Sequence, residues 1–223
     1  MTRTMRAALL VLLAAAPAAA EIPRAVVVLE SPIAPLPGQA PEAAPPRFVL
    51  LEDGQVFVGG THGLATAKLS SAEMKDFDRR LSELRKNPAL AGVITIGPGT
   101  AVRRLILRKG RPLEAKIEGD LDAATPGLKP LADMVRALET YHHPGLRPYT
   151  PAFFALSARE GTLPGGCRKW IKFESLDDAK FAPRVVTAAD YPTWPTGVAP
   201  ASVCAGDKRY VVTLRPLLPG ETP

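Results

Sequence analysis

The stretch RFVLLEDGQVFVGG, from Arg47 to Gly60, contains two runs of apolar residues separated by the pair Asp53-Gly54. β-Branched and aromatic residues favour strands, and an Asp-Gly pair between two such runs favours a tight hairpin turn. The stretch therefore predicts a β-hairpin. A second hairpin is predicted within TAVRRLILRKGRPLEAKIEG (100–119), where a Lys-Gly pair marks the turn and apolar residues then alternate with charged ones.

One amphipathic helix is predicted after each hairpin. The first lies within LSSAEMKDFDRRLSELRKNP (69–88), where Ser70 and Glu73 have the spacing of a capping box. The second lies within GLKPLADMVRALETYHHPG (127–145), where apolar residues recur at helical spacing. The order strand, strand, helix thus occurs twice along the chain.

The last third of the chain is rich in strand-forming segments separated by glycine and proline. Four strands are predicted there: PAFFALSAR (151–159), RKWIKFES (168–175), PRVVTA (183–188) and KRYVVTLRP (208–216). Together with the hairpins and helices, they predict the α+β class, with a mainly antiparallel sheet and two helices packed on one face.

The first 20 residues have the pattern of a secretory signal peptide. Arg3 and Arg6 precede a short apolar run, and Ala18-Ala19-Ala20 resembles a cleavage site. We expect cleavage before Glu21 and export to the periplasm or the medium. An uncleaved anchor is the alternative, but a spanning helix needs about 20 apolar residues and proline interrupts this run early. No later segment is apolar enough to span.

A proline-rich region follows the leader, and it sets the predicted domain boundaries. Six prolines fall within residues 31–46, a composition typical of an extended linker. We therefore predict a linker over 21–46, a single globular domain over 47–216 and a tail over 217–223. The segment RAVVVLE (24–30) is either a strand or part of the linker.

Two cysteines, Cys167 and Cys204, are the only ones in the chain. An oxidising compartment favours a disulfide between them. Their spacing is too wide for a Cys-x-x-Cys redox motif, and a zinc site would need further soft ligands. A nucleophilic Cys167 beside Arg168 and Lys169 is the alternative, but no base can be assigned to it from the sequence.

The C-terminal stretch YVVTLRPLLPGE (Tyr210–Glu221) resembles the endings of uncharacterised bacterial exported proteins and lipoproteins. Those proteins also end in a strand that runs into Arg-Pro-Leu-Leu-Pro. The resemblance implies an exported protein and brings no catalytic residue with it. This chain has no cysteine directly after the apolar run of its leader, so the acceptor for a lipid anchor is absent.

No catalytic or metal-binding motif stands out. The chain has no Gly-x-Ser-x-Gly turn, and its three histidines are His62, His142 and His143. Adjacent histidines on a helix point in different directions, so a helix C-terminus is the plainer interpretation of the pair. Asp120 and Asp122 fit turn or cap roles, with a weak cation site as the alternative. We expect no cofactor and no metal.

The most suggestive surface is basic. Five cations crowd the second hairpin and form a candidate anion-binding strip for an envelope polymer, lipid head groups or an acidic protein: Arg103, Arg104, Arg108, Lys109 and Arg111. The alternative is a charged edge that prevents aggregation between sheets. Nucleic acid is not expected, because the protein is exported and no aromatic residues are interleaved there.

A second candidate contact is the loop YPTWPTG (191–197). Tyr191 and Trp194 belong to a loop that Pro192 and Pro195 stiffen, which makes the loop a candidate rigid contact for a partner. The alternative is that Trp194 packs near the disulfide. Removing the leader lowers the formal net charge from +6 to +4, which is compatible with anionic partners.

These features together predict a non-catalytic binding or interaction domain of the bacterial cell envelope, stabilised by one disulfide. The partner would be an unknown protein or an envelope polymer. Two alternatives remain open. One is a secreted hydrolase with a dispersed acid or histidine site, and the other is an inhibitor or accessory factor of another secreted protein.

Overall fold

A computed structural model of the chain describes residues 22–31, 45–59, 63–87, 90, 92–172, 174–192 and 200–222. The predicted leader, most of the proline-rich region, His62 and Trp194 lie outside these described residues. Within the described residues, no helix is long and apolar enough to cross a membrane.

Eight strands form the first sheet. In chain order they are β1 (Ala25–Glu30), β2 (Phe48–Leu51), β3 (Gln55–Val58), β4 (Ala65–Lys68), β5 (Gly92–Thr95), β6 (Val102–Leu107), β7 (Leu113–Glu118) and β8 (Arg147–Pro148). Their order across the sheet is β5-β7-β6-β1-β2-β3-β4-β8, and only the β5–β7 pair is parallel. Both predicted hairpins are present, as β2–β3 and β6–β7. Gly54 makes the first turn possible, because its φ of 86° favours a residue without a side chain.

β1 lies in the interior of this sheet. It pairs with β2 on one side and with β6 on the other, and the side chains of Val27 and Leu29 are fully buried. The segment at 24–30 is therefore a strand, and the folded part of the chain includes residues upstream of Arg47. Four successive apolar residues suit a strand that is covered on both faces.

Two helices cover one face of the first sheet. The first, α1 (Ser71–Arg85), begins after Ser70, whose hydroxyl and backbone complete the predicted capping box with Glu73. The second, α2 (Lys129–Glu139), begins with proline near its N-terminus. The apolar sides of both helices share one core with the inward residues of the sheet. We call this the inner face of the first sheet and the opposite one its outer face.

Five strands of the last third form a second sheet. They are β9 (Phe153–Glu160), β10 (Arg168–Lys169), β11 (Arg184–Thr187), β12 (Ala201–Ala205) and β13 (Lys208–Pro216), in the order β10-β12-β13-β9-β11. This sheet has its own core, which includes Leu156, Val212 and Leu214. The α+β class, the mainly antiparallel pairing and the two helices on one face are thus confirmed, although the strands form two sheets.

The segment RKWIKFES differs most from its predicted strand. Strand pairing covers only Arg168 and Lys169, in parallel with β12, and the backbone N–H of Trp170 donates to the carbonyl of Cys204 at 2.7 Å. Beyond this point the chain turns, and the indole nitrogen of Trp170 donates to the carbonyl of Glu174 at 3.0 Å. The strand β12 was not predicted, since ASVCA is short and composed of small residues.

The position of β1 leads to a truncation prediction. A chain that begins at Arg47 should fail to fold, because β2 and β6 would lose the strand that joins them. A chain that begins at Glu21 should fold. Circular dichroism and urea unfolding of both chains test this, and a cooperative transition in the shorter chain would contradict the assigned role of β1.

Candidate binding groove on the outer face of the first sheet

The outer face of the first sheet carries an open apolar groove, which we call the outer groove. Its floor consists of outward side chains of three adjacent strands: Val28 of β1, Val49 and Leu51 of β2, and Ile106 of β6. Leu218 packs on the same cluster from the C-terminal segment. The groove has a volume of about 480 Å³, which lies within the range usual for small-molecule sites.

Two chain ends build the walls of the outer groove. On one side, the carbonyl of Leu217 accepts a hydrogen bond from the Tyr149 hydroxyl at 3.0 Å, which fixes the C-terminal segment. The backbone N–H of Leu218 donates to Glu221 at 2.9 Å. Ile22 of the N-terminal segment lies against Gly220, so the two segments meet on this side of the groove. The stretch ending in Arg-Pro-Leu-Leu-Pro therefore runs from β13 directly into the groove wall.

Four charged residues line the outer groove, and they fall into two kinds. Both carboxylates are paired: Glu30 with Arg104 at 3.3 Å, and Glu221 with Arg215 at 2.6 Å. The two other charges are the guanidinium groups of Arg24 and Arg108, and no described carboxylate lies within ion-pair distance of either. The formal charges of the lining therefore sum to zero, but the guanidinium groups of Arg24 and Arg108 have no ion-pair partner among the described residues.

The two arginines lie at the same end of the outer groove. β1 begins after Arg24, and the backbone N–H of Arg108 donates to the carbonyl of Val26 at 2.9 Å. Glu30 lies at the other end of β1, about 20 Å away at the usual rise of a strand. The floor of the groove is thus apolar, and the two guanidinium groups without an ion-pair partner lie at one end of it, where Glu52 accepts from the backbone N–H of Arg24.

The floor of the outer groove has no free strand edge to which another strand could pair. β1, β2 and β6 each have a partner strand on both sides, so their N–H and C=O groups are used within the sheet. Recognition on this floor depends on side chains and shape, and not on the addition of another strand.

The predicted basic strip is divided in the structure. Arg103 points inward and binds Glu139 of α2 at 2.6 Å, with both side chains largely buried. Arg104 also binds Glu114 at 2.7 Å, and Lys109 binds Asp78 of α1 at 2.5 Å. Arg108 and Arg111 have no carboxylate partner among the described residues, and only Arg108 of these two lines the outer groove. The strand alternation of β6 separates neighbours that are adjacent in the sequence.

Tyr191 lies inside the second core. Its side chain is 5% exposed and packs against Trp170, with ring centroids 6.1 Å apart. Burial and the neighbouring Glu174 raise the pKa of the Tyr191 hydroxyl well above its usual range. Lys172 places its ammonium 4.9 Å from the Tyr191 ring centroid. Packing near the disulfide therefore accounts for Tyr191, while Trp194 lies beyond the described residues.

Cys167 and Cys204 form a disulfide. Cys204 is part of β12, and Cys167 immediately precedes β10, so the bond joins two neighbouring strands of the second sheet. Both sulfurs are used, which leaves no thiolate at Cys167 to act as a nucleophile. A disulfide persists in oxidising compartments and is rare in the cytosol of most organisms.

A smaller cleft of about 200 Å³ separates the two helices on the inner face. Beside it, Glu73 accepts hydrogen bonds from the Ser70 hydroxyl at 2.7 Å and from Nε2 of His143 at 3.2 Å, since Nδ1 of His143 accepts from Gly145. The hydrogen bonds from Ser70 and His143 lower the pKa of Glu73. In a hydrolytic triad the imidazole lies between hydroxyl and carboxylate. Here the carboxylate lies between, so the histidine cannot activate Ser70.

The other carboxylates named from the sequence have structural partners. Asp120 caps a 3₁₀ turn by accepting from the backbone N–H of Asp122, and Asp122 binds Arg136 at 2.5 Å. Glu52 accepts from the backbone N–H of Arg24 at 3.1 Å, and Asp53 binds Lys68 at 2.6 Å. The described residues contain no cluster of three or more side chains that could hold a metal ion.

Asp177 is the centre of a polar network in the second sheet. It accepts from Lys208 at 2.9 Å and from the Tyr210 hydroxyl at 2.9 Å, and Lys180 lies 3.0 Å away. The hydrogen bonds from Lys208, Lys180 and Tyr210 hold the pKa of Asp177 well below its usual range. Lys180 also binds Glu160 at 2.6 Å. The network ties a 3₁₀ turn, Asp178–Lys180, to the strands β9 and β13.

The residues that define the outer groove were not identified from the sequence. Val28 and Ile106 were recognised only as apolar members of strand-like segments, and Arg24 lay in the predicted linker. Leu218 lay in the predicted tail. The run of four apolar residues in β1 was the one sequence feature that indicated an apolar outer face, since a strand that is apolar at successive positions needs cover on both faces.

Comparisons with known proteins found no relative. No family model matches the chain, and neither a curated protein nor a solved structure matches it at a significant level. What the protein binds is therefore inferred from its own geometry.

Removing the disulfide should destabilise the protein without abolishing the first sheet. The bond closes a loop of 37 residues, for which chain entropy predicts a stabilisation of about 3–4 kcal/mol. A variant carrying both Cys167→Ser and Cys204→Ser should lose about that much free energy of unfolding in urea. Reductant should affect only the parent protein. A loss well below 1 kcal/mol would contradict the prediction.

Acid should destabilise the protein partly through Asp177. A carboxyl whose folded pKa lies below its unfolded value of about 3.9 contributes stability above that value, and the contribution is lost as the pH falls through the folded pKa. Asp177→Asn should therefore flatten the fall in stability between about pH 5 and about pH 2. Urea unfolding across this range tests it. Equal slopes for variant and parent would contradict the network's role.

Proposed function

We propose that this protein is a non-catalytic binding domain that works outside the cytoplasm, in the bacterial cell envelope, and that the outer groove holds its ligand. The observation that carries the proposal is the groove itself, an apolar concavity with a volume of about 480 Å³. Two guanidinium groups at one end of it have no ion-pair partner among the described residues. An apolar concavity with a few charged groups is the usual form of a ligand site.

Two further features support the location. The first 20 residues have the pattern of a signal peptide, and the disulfide is of the kind that persists in an oxidising compartment. The stretch that resembles the endings of exported bacterial proteins supplies Leu218 to the groove.

The chemistry of the lining supports binding without turnover. A guanidinium group stays protonated and donates hydrogen bonds, but it does not act as a base or as a nucleophile. Glu30 and Glu221, the two carboxylates of the lining, are each oriented by an arginine. Neither is paired with a histidine or a hydroxyl in a catalytic arrangement among the described residues, which supports a binding role for the groove.

Photo-crosslinking in cells tests this function whatever the ligand proves to be. The photoreactive residue p-benzoylphenylalanine replaces Ile106 on the groove floor in one variant. In the matched control it replaces Lys75, which is exposed on α1 at the helical side. We expect an adduct of discrete mass at position 106 and none of that mass at position 75, on a chain that begins at Glu21.

Two results would overturn the proposal. Adducts that are absent from position 106, or identical at both positions, would remove the outer groove as the binding site. A chain that keeps its leader and stays in the cytoplasm would remove the envelope location.

A further inference from the structure

We infer that the ligand of the outer groove is a single-chain anionic amphiphile, a long-chain carboxylate whose head group binds Arg24 and Arg108 and whose acyl chain lies on the apolar floor. This inference rests on the proposed function and specifies its ligand class. Three properties of the groove lead to it, namely its charge, its saturated backbone and its volume.

The charge of the groove selects the head group. Arg24 and Arg108 both line the same end of the groove, and no described carboxylate balances either one. By contrast, Arg104 and Arg215 at the rim are already paired. Guanidinium groups form charge-assisted hydrogen bonds with carboxylates, which are stronger than neutral ones. An anionic group at this end would therefore give an ion-pair partner to the two guanidinium groups that have none among the described residues.

The backbone N–H and C=O groups of the floor are already hydrogen-bonded within the sheet, and this favours a hydrocarbon chain as the apolar part of the ligand. An extended peptide laid on this floor would bury N–H and C=O groups against apolar side chains, because β1, β2 and β6 have no free edge to pair with it. Each unsatisfied group costs about 1–3 kcal/mol. An acyl chain has no such groups and gains from every methylene that leaves water. The floor therefore favours a hydrocarbon over a polypeptide.

The volume of the groove matches one chain of moderate length. At about 30 Å³ for a group the size of a water molecule, a groove of about 480 Å³ has room for about sixteen such groups. A single acyl chain of that order is accommodated, with part of it exposed because the groove is open to solvent. The distance along β1, about 20 Å, also suits an extended single chain.

A displacement assay tests the inference with the oxidised protein that begins at Glu21. The probe is the fluorescent long-chain carboxylate cis-parinarate, and the competitors are palmitate, hexadecanol and hexadecyltrimethylammonium. These competitors share a chain length and differ in head-group charge. We expect palmitate to displace the probe, the neutral alcohol to do so at least tenfold less well, and the cation to be weakest.

Charge-reversal variants test the head-group site. Arg24→Glu and Arg108→Glu should each weaken palmitate binding about tenfold, which corresponds to about 1.4 kcal/mol. Arg111→Glu is the matched control, because it makes the same charge change in the same hairpin turn outside the groove lining, and it should leave binding unchanged. Ile106→Glu should abolish binding by placing a charge on the floor. Thermal unfolding confirms that each variant is folded.

The outcomes separate the ligand class from the proposed function. Equal binding of palmitate and hexadecanol, or an equal effect of Arg111→Glu and the two groove variants, would overturn the carboxylate head group. No palmitate binding together with a peptide adduct at position 106 would overturn the lipid class and leave the binding function standing. No binding of any probe and no adduct would overturn both.

Discussion

The pairing of β1 on both of its edges is the constraint on which the first sheet depends. β1 joins the β2–β3–β4 meander to the β6–β7 hairpin, and without it the two halves have no shared strand. Its inward residues Val27 and Leu29 enter the core under the helices, while Val28 faces the outer groove. One short strand therefore contributes to both the stability of the core and the floor of the outer groove.

The charged residues of the second hairpin differ in whether they have an ion-pair partner. Most of the cations singled out in the second hairpin are already neutralised, through Arg103 to Glu139, Arg104 to Glu30 and Lys109 to Asp78. These pairs hold strands and helices together. Arg108 differs because its side chain emerges on the outer face, where the paired carboxylates belong to other arginines. The same hairpin thus has structural charges on most positions and a charge open to a ligand at the groove.

Local sequence signals predicted the local structure well. The Asp53-Gly54 turn, the capping box of Ser70 and Glu73 and the helical apolar spacing each depend on residues a few positions apart, and all are present. The disulfide, predicted from the signal-peptide pattern and the count of two cysteines, is also present. The outer groove could not be predicted in this way. Val28, Ile106 and Leu218 come from three distant parts of the chain, and only the sheet order brings them together.

The large sequence separation between these groove residues has a consequence for the order in which contacts form during folding. β1 emerges first, yet Val27 pairs with Leu107, about 80 residues later, and Ile22 lies against Gly220 near the other end. Contacts this far apart form late, because the intervening chain must be available before the loop can close. The groove is bounded by Ile22 and by Gly220, so it is completed only after nearly the whole described chain has folded. The groove is therefore a property of the fully folded molecule and is absent from partly folded ones.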